Sequence, residues 1–303
     1  MQLDLAIHSI VSVHATIPED GFTAGILGTE RAGNGVVIRE SGLVLTIGYL
    51  ITEAEDVWLT ASDGRVVQGH VLGYDQETGF GLVQALGKLD LPALDLGSSA
   101  KARIGDRVIL AGRGRDQMIS GAIIGKQEFA GYWEYLLEEA IFTAPAHSSW
   151  GGAGLIDAEG RLIGIGSLLL QQAGERGQSR DINMSVPIDL LPPILDDLLA
   201  YGRVNKPARP WLGIYSAGID GKVMVANVAE RGPAEAAGVK RGDVIASIRD
   251  QEVDSLANFY RKVWSTGPAG AEIPLEIVRD GRSMWLRIKT TDRNSLLKKP
   301  KLQ

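Results

Sequence analysis

Residues 141–156 read I-F-T-A-P-A-H-S-S-W-G-G-A-G-L-I. An imidazole, His147, stands beside two hydroxyls, Ser148 and Ser149, on a loop of small residues between two apolar runs. These are the groups of nucleophilic acyl transfer: a hydroxyl attacks, an imidazole takes its proton and backbone N–H groups hold the oxyanion. The spacing argues against the simplest version. Neighbouring side chains on one loop rarely point at each other, so His147 is a poor base for Ser148, and serines in such loops commonly make turn hydrogen bonds. The other histidines, His8, His14 and His70, are scattered, and none lies in an H-E-x-x-H pattern. There is no cysteine. Thiolate chemistry, disulfides and Cys-ligated zinc are therefore excluded, and neither a metal nor a cofactor is expected.

Composition narrows the partners. The chain has 303 residues, 45% of them hydrophobic and 22% charged, enough for two or three domains with a sizeable core. The net charge is −6, and the only basic run is Lys298-Lys299-Pro300-Lys301, so nucleic acid is not expected as a partner. No apolar run reaches the ~18 residues of a membrane span. Met1 to Ser12 has no basic residue and its apolar content is broken by Asp4 and His8, so it does not read as a signal peptide. The expected location is the cytoplasm, or the periplasm if a leader precedes Met1.

The elements that must hold the loop are short strands. His8 to Thr16, Gly33 to Ile38, Leu43 to Thr46, Val57 to Thr60, Val66-Val67, His70 to Gly73, Phe80 to Ala85 and Val108 to Ala111 recur between Gly- and Asp-containing turns. That rhythm predicts a β-barrel or sandwich. Asn34-Gly35 is not a hairpin turn, because apolar residues continue after it. Ile119 to Gln127 and Tyr135 to Phe142 form a long hairpin, whose tip, F-A-G-Y-W-E-Y from Phe129, is rich in aromatics. Such a tip either folds onto its own barrel or stands out as a sensor patch.

Pro187 to Tyr201 has helical spacing and stops at Gly202, and Asn205 to Pro210 reads as a linker. The organisation expected is a first domain over 1–200, a linker over 201–207, a second domain over 208–292 and a flexible tail over 293–303. In the second domain, Lys222 to Val228, Gly242 to Ile248, Ile273 to Val278 and Met284 to Ile288 are strands. Ser255 to Ser265 is an amphipathic helix with Leu256, Phe259, Tyr260 and Val263 on one face.

Several motifs carry a resemblance. Trp211-Leu212-Gly213-Ile214, the run R-G-P-A-E-A-A-G-V-K-R-G-D-V-I from Arg231 and the helix and hairpin that follow resemble the PDZ domain of HtrA/Deg-type trypsin-like proteases. G-N-G-V-V-I from Gly33, A-L-D-L-G-S-S from Ala93, I-G-D-R-V-I-L-A-G from Ile104, G-R-L-I-G-I from Gly160 and N-M-S-V-P from Asn183 resemble that family's protease domain. The resemblance implies a mainly β chain, a trypsin-like double β-barrel followed by an α+β PDZ domain.

It also places the catalytic positions. The family's T-N-x-H-V-I falls on Thr46 to Ile51, D-x-x-T-D-L-A-V on Asp75 to Leu82 and G-N-S-G-G-x-L on Ser149 to Leu155. The base, its orienting aspartate and the nucleophile thus fall on Tyr49, Gly79 and Gly151. A glycine has no hydroxyl, and a phenol with a pKa of about 10 is a weak base at neutral pH. The expectation is therefore a non-catalytic HtrA-like pseudoprotease, a scaffold, adaptor or regulator that binds protein C-termini or extended apolar peptides. The alternative is an HtrA-type serine endopeptidase with a rearranged or partner-completed site. The resemblance implies that the N–H groups of Trp211, Leu212, Gly213 and Ile214 cradle a terminal carboxylate, with Leu256, Phe259 and Tyr260 shaping the side-chain pocket, and Val263 core. It also implies a homo-oligomer, a trimer as in family members.

Overall fold

The computed structural model describes residues 6–173 and 178–299. Contacts divide the chain into two units. The first holds residues 1–127, 139–205 and 297–303, and the second 128–138 and 206–296. The architecture is mainly β.

The first unit contains two closed six-stranded antiparallel barrels. One is formed by β1 (Ile10–Thr16), β2 (Glu30–Arg39), β3 (Leu43–Ile47), β4 (Asp56–Thr60), β5 (Val66–Tyr74) and β6 (Phe80–Ala85). Asn34-Gly35 lies inside β2, as the unbroken apolar run after it requires. β3 is buried at all five positions, and β1 buries Ile10, Val11, Val13 and Ala15. Closure leaves this barrel without an exposed edge.

The other barrel is formed by β7 (Arg107–Ala111), β8 (Met118–Gly131), β9 (Tyr135–Ala144), β10 (Gly154–Ile156), β11 (Leu162–Ala173) and β12 (Ser179–Pro187). Val108, Leu110, Ile123, Ile141, Ala153, Leu155 and Ile163 fill it. Burying such side chains is worth about 1.5–3 kcal/mol each, and this is what fixes the loop from Pro145 to Ala153 between β9 and β10. Helix α1 (Pro192–Tyr201) closes the first unit's main run.

The second unit is a sheet in the order β13 (Ile214–Ile219), β14 (Lys222–Val228), β15 (Val244–Ile248), β17 (Glu272–Arg279), β18 (Arg282–Lys289), with β16 (Gln251–Glu252) paired to β15. A short α2 (Pro233–Ala236) and α3 (Leu256–Trp264) complete it. Ser255 caps α3 by accepting the Asn258 N–H at 3.2 Å. Its core gathers Leu212, Ile214, Val223, Val225, Phe259, Tyr260, Val263 and Ile277, and also Leu136 from the hairpin tip. The buried Asp243 carboxylate accepts from Arg279 Nε at 2.6 Å, which holds it below the usual carboxylate range despite burial.

Two expectations change here. The hairpin tip groups with the second unit, where Leu136 joins the core and the Glu134 N–H donates to the Tyr260 phenol. The segment read as a flexible tail carries a 3-10 turn at Arg293–Leu296, and Lys298 N–H donates to Glu53 Oε1 at 2.9 Å. Residues 300–303 lie outside the described residues. Among those described, no helix is long and apolar enough to cross a membrane.

Candidate functional site

Two places in the chain were expected to carry chemistry, and each lies within one unit. In the first unit, Tyr49 sits in the 3-10 turn Gly48–Leu50 that follows β3. Its phenol donates to the Ser167 carbonyl at 2.9 Å. Burial pushes its pKa well above the ordinary phenol value, although contact with Trp150 pulls the other way. Gly79 lies against the same turn, its carbonyl accepting the Gly48 N–H at 2.7 Å. Gly151 comes from the β9–β10 loop, where its carbonyl accepts the Asn34 N–H at 2.8 Å. A Cβ at Gly151 would stand 2.8 Å from the Tyr49 phenol oxygen. The fold thus brings the three positions Tyr49, Gly79 and Gly151 to one place.

The groups around them are the hydroxyl and imidazole that the sequence singled out. Asn34 Nδ2 donates to the Ser149 hydroxyl at 3.2 Å and to the Ser149 carbonyl at 3.0 Å. The Ser149 N–H donates to His147 Nδ1 at 2.8 Å. His147 is itself buried, and its N–H donates to Asn183 Oδ1 at 2.6 Å. An imidazole nitrogen that accepts cannot hold a proton there, so His147 carries any ring proton on Nε2.

In the second unit, the Trp211 N–H does not join the cradle expected of it. Trp211 forms an isolated bridge with Thr291, its N–H donating to that carbonyl at 3.0 Å, and β13 starts only at Ile214. Gly213 has φ +79, and a Cβ there would meet the Trp211 ring at 3.0 Å, so this turn needs glycine. The turn aims three consecutive N–H groups at one point. At that point lies the Glu134 carboxylate, which accepts from Leu212 at 3.1 Å, from Gly213 at 2.7 Å and from Ile214 at 3.0 Å.

Burial pushes the Glu134 carboxyl up to about 7, against the three amide bonds and the nearby Arg293 charge that pull it down. Its backbone has φ +59, a left-handed conformation that non-glycine residues rarely adopt. Tyr260 supports it: its phenol accepts the Glu134 N–H at 3.2 Å and donates to the Gly131 carbonyl at 2.7 Å. Of the expected pocket residues, Leu256 is half-buried and packs against the core, whereas Phe259 and Tyr260 are sealed in it with Val263. Sequence reasoning missed Glu134. The signal available was a lone carboxylate among the aromatics Tyr132, Trp133 and Tyr135.

Comparison with known proteins agrees with this architecture. Residues 33–165 match the family described as trypsin-like peptidase domain, and residues 210–290 match PDZ domain. The chain is 28% identical over 293 residues to a probable periplasmic serine protease do/HhoA-like of Haemophilus influenzae, covering 89% of this chain and 60% of that protein. It is 29% identical over 276 residues to a probable periplasmic serine endoprotease DegP-like of Pseudomonas putida, covering 86% of this chain and 55% of that protein. It therefore spans little more than half the length of these relatives. Among solved structures, the HtrA-type protease AlgW with decapeptide superposes with a TM-score of 0.57 at 23% identity, covering 99% of this chain and 98% of that one. A serine endoprotease from Yersinia pestis gives 0.55 at 23% identity, covering 96% of each chain.

These findings correct two expectations. The non-catalytic reading, drawn from three side chains alone, is overturned by relatives that are named serine proteases. The cytoplasmic reading is overturned by the same names, which are periplasmic. It rested on the first residues of the sequence, which carry no information about what precedes them. The chain carries a trypsin-like peptidase domain followed by a PDZ domain, and over most of its length it is similar to HtrA- and DegP-type serine proteases.

Proposed function

We propose that the chain is a periplasmic serine endopeptidase of HtrA type with a rearranged active site, and that its PDZ domain binds protein C-termini or extended apolar peptides. The observation that carries the first part is the convergence of the Tyr49, Gly79 and Gly151 positions beside the Ser149 hydroxyl and the His147 imidazole. The names of the relatives support the same reaction class and the same compartment.

In this reading the triad positions fall on Tyr49, Gly79 and Gly151, and none of the three supplies the nucleophile. Ser149 does, with His147 as its base. In a trypsin-type site the oxyanion hole uses the N–H of the nucleophile position and that of the residue two before it. With Ser149 as the nucleophile those are the N–H groups of Ser149 and His147, the latter donating to Asn183 Oδ1 at 2.6 Å. Because the Ser149 N–H is held by His147 Nδ1, the imidazole must swing away before chemistry. One movement then frees an oxyanion donor and a nitrogen that can take the hydroxyl proton. Unfolded casein incubated with the full chain should be cut into fragments, and Ser149→Ala should abolish the cutting. Casein left intact under both conditions would contradict the reading.

For the second part, the three converging amides of Leu212, Gly213 and Ile214 form a carboxylate site, and β13 offers an edge to which an extended peptide adds as a strand. Peptides with an apolar residue and a free terminal carboxylate fit that site. Affinity of a short strand addition is on the order of micromolar, about −8 kcal/mol.

A further inference from the structure

We propose that the PDZ groove is filled by the chain's own hairpin tip, with the Glu134 side chain standing where a ligand's terminal carboxylate would lie, so that a protein C-terminus enters only by displacing residues 128–138. This deepens the peptide-binding reading above and rests on it.

The tip makes both contacts that a strand-adding ligand makes. Its carboxylate takes the three N–H groups of the Leu212–Ile214 turn. Two residues earlier, the Tyr132 carbonyl accepts the Ser216 N–H of β13 at 2.9 Å. A main-chain bond from the edge strand together with a carboxylate in the turn is the pattern of β-augmentation with carboxylate capture. Around this pair the tip buries Leu136 in the second unit's core and packs Tyr132 against Tyr215 with ring centroids 6.1 Å apart. Arg261 on α3 pairs with Glu128 and Glu138 on either side of the tip.

Other features mark the tip as a ligand that can leave. Its central residue is held in a left-handed conformation that costs energy in any non-glycine residue. Its carboxylate is buried, with Arg293, Tyr215, Tyr260 and Tyr132 as the charged or titratable groups around it. Desolvation opposes ionisation there more strongly than the amide bonds favour it. The Arg261 pairs lie on the exposed surface, where ion pairs contribute little. A tethered ligand competes through its high effective concentration rather than through strong contacts, so the apparent affinity for an outside peptide is reduced by the fraction of open grooves.

The test uses the full chain and its Glu134→Ala and Glu134→Gln variants. The probe is an acetylated hexapeptide, Gly-Ser-Gly-Tyr-Trp-Val, with a free carboxylate or a terminal amide. Calorimetry reads affinity, and hydrogen exchange reads the amides of Leu212, Gly213 and Ile214. The expected result is protection of those amides in the unliganded wild type and in Glu134→Gln, whose neutral amide oxygen still accepts them, loss of protection in Glu134→Ala and binding of the free-acid peptide at least about tenfold tighter to Glu134→Ala. The amidated peptide should gain little.

Equal free-acid affinity in wild type and variants, with unprotected amides in all, would overturn self-filling and leave the peptide reading standing. No binding to variants whose amides are open would overturn displacement and the peptide reading together. If both substitutions unfold the second unit while the barrel amides stay protected, the tip is a fixed part of that core and displacement is overturned.

Discussion

The docked tip should loosen as pH rises, and the structure sets the size of the effect. Burial lifts the Glu134 carboxyl from its ordinary 4.5 to about 7. When the tip leaves the groove, the group regains water and its ordinary value. The docked state therefore holds a proton that the released state gives up. Its stabilisation is fully present below about pH 4.5, declines through the window up to about 7 and is constant above it. Each pH unit is worth about 1.4 kcal/mol, so the full change is about 3 kcal/mol, a few hundredfold in the docking equilibrium. The readout is the exchange protection of the Gly213 N–H, corrected for intrinsic rate, between pH 4 and 8. Protection should fall across that window in the wild type and stay flat in Glu134→Gln, which cannot ionise. A core amide such as that of Leu275, buried in β17, serves as the reference. Asp243, whose carboxyl is held low beside Arg279, destabilises the same unit as pH falls, so the two trends run in opposite directions and can be told apart. Wild-type protection that is flat, or that rises with pH, would refute the reasoning.

Gly213→Val places a branched side chain at φ +79 and against the Trp211 ring, so it should cost about 1–3 kcal/mol and remove both tip docking and peptide binding, as read by thermal unfolding and calorimetry. Gly151→Ser puts a Cβ 2.8 Å from the Tyr49 phenol oxygen and should destabilise the first unit by about 1–3 kcal/mol. Tyr49→His removes that oxygen, so a double-mutant cycle by urea unfolding should show a favourable coupling of roughly 0.5–3 kcal/mol, whereas strict additivity would show that the two positions do not touch. Asp243→Asn removes the charge that Arg279 pairs with and should cost about 1.5–3 kcal/mol in the second unit, measured the same way; a loss under about 0.5 kcal/mol would show the pair to be no more than a surface contact.

Much of the fold is legible in the sequence, because the barrels are built from local signals. Short apolar runs between Gly and Asp turns mark most of the strands, and the unbroken run after Asn34-Gly35 correctly keeps that pair inside β2. The spacing of Leu256, Phe259, Tyr260 and Val263 marks the buried face of α3, but periodicity alone cannot separate pocket from core, and Phe259 and Tyr260 prove sealed. The turn of the second unit's site was located from the resemblance, but the group that fills it was hidden for a different reason. Glu134 meets Leu212 across 78 residues of sequence, and no local pattern announces which distant amides a lone carboxylate will reach. The aromatics around it were visible; their destination depends on tertiary packing. In the first unit the loop of His147, Ser148 and Ser149 was found from residue types alone. The bond from the Ser149 N–H to the His147 ring needed coordinates, because it depends on the backbone path of the loop.

Covalent labelling of the full chain with a fluorophosphonate probe, mapped by peptide mass spectrometry, tests the proposed catalysis most directly. The rearranged site predicts a single adduct at Ser149, lost in Ser149→Ala and reduced in His147→Ala. An unlabelled protein, or an adduct that persists when Ser149 is removed, would contradict it.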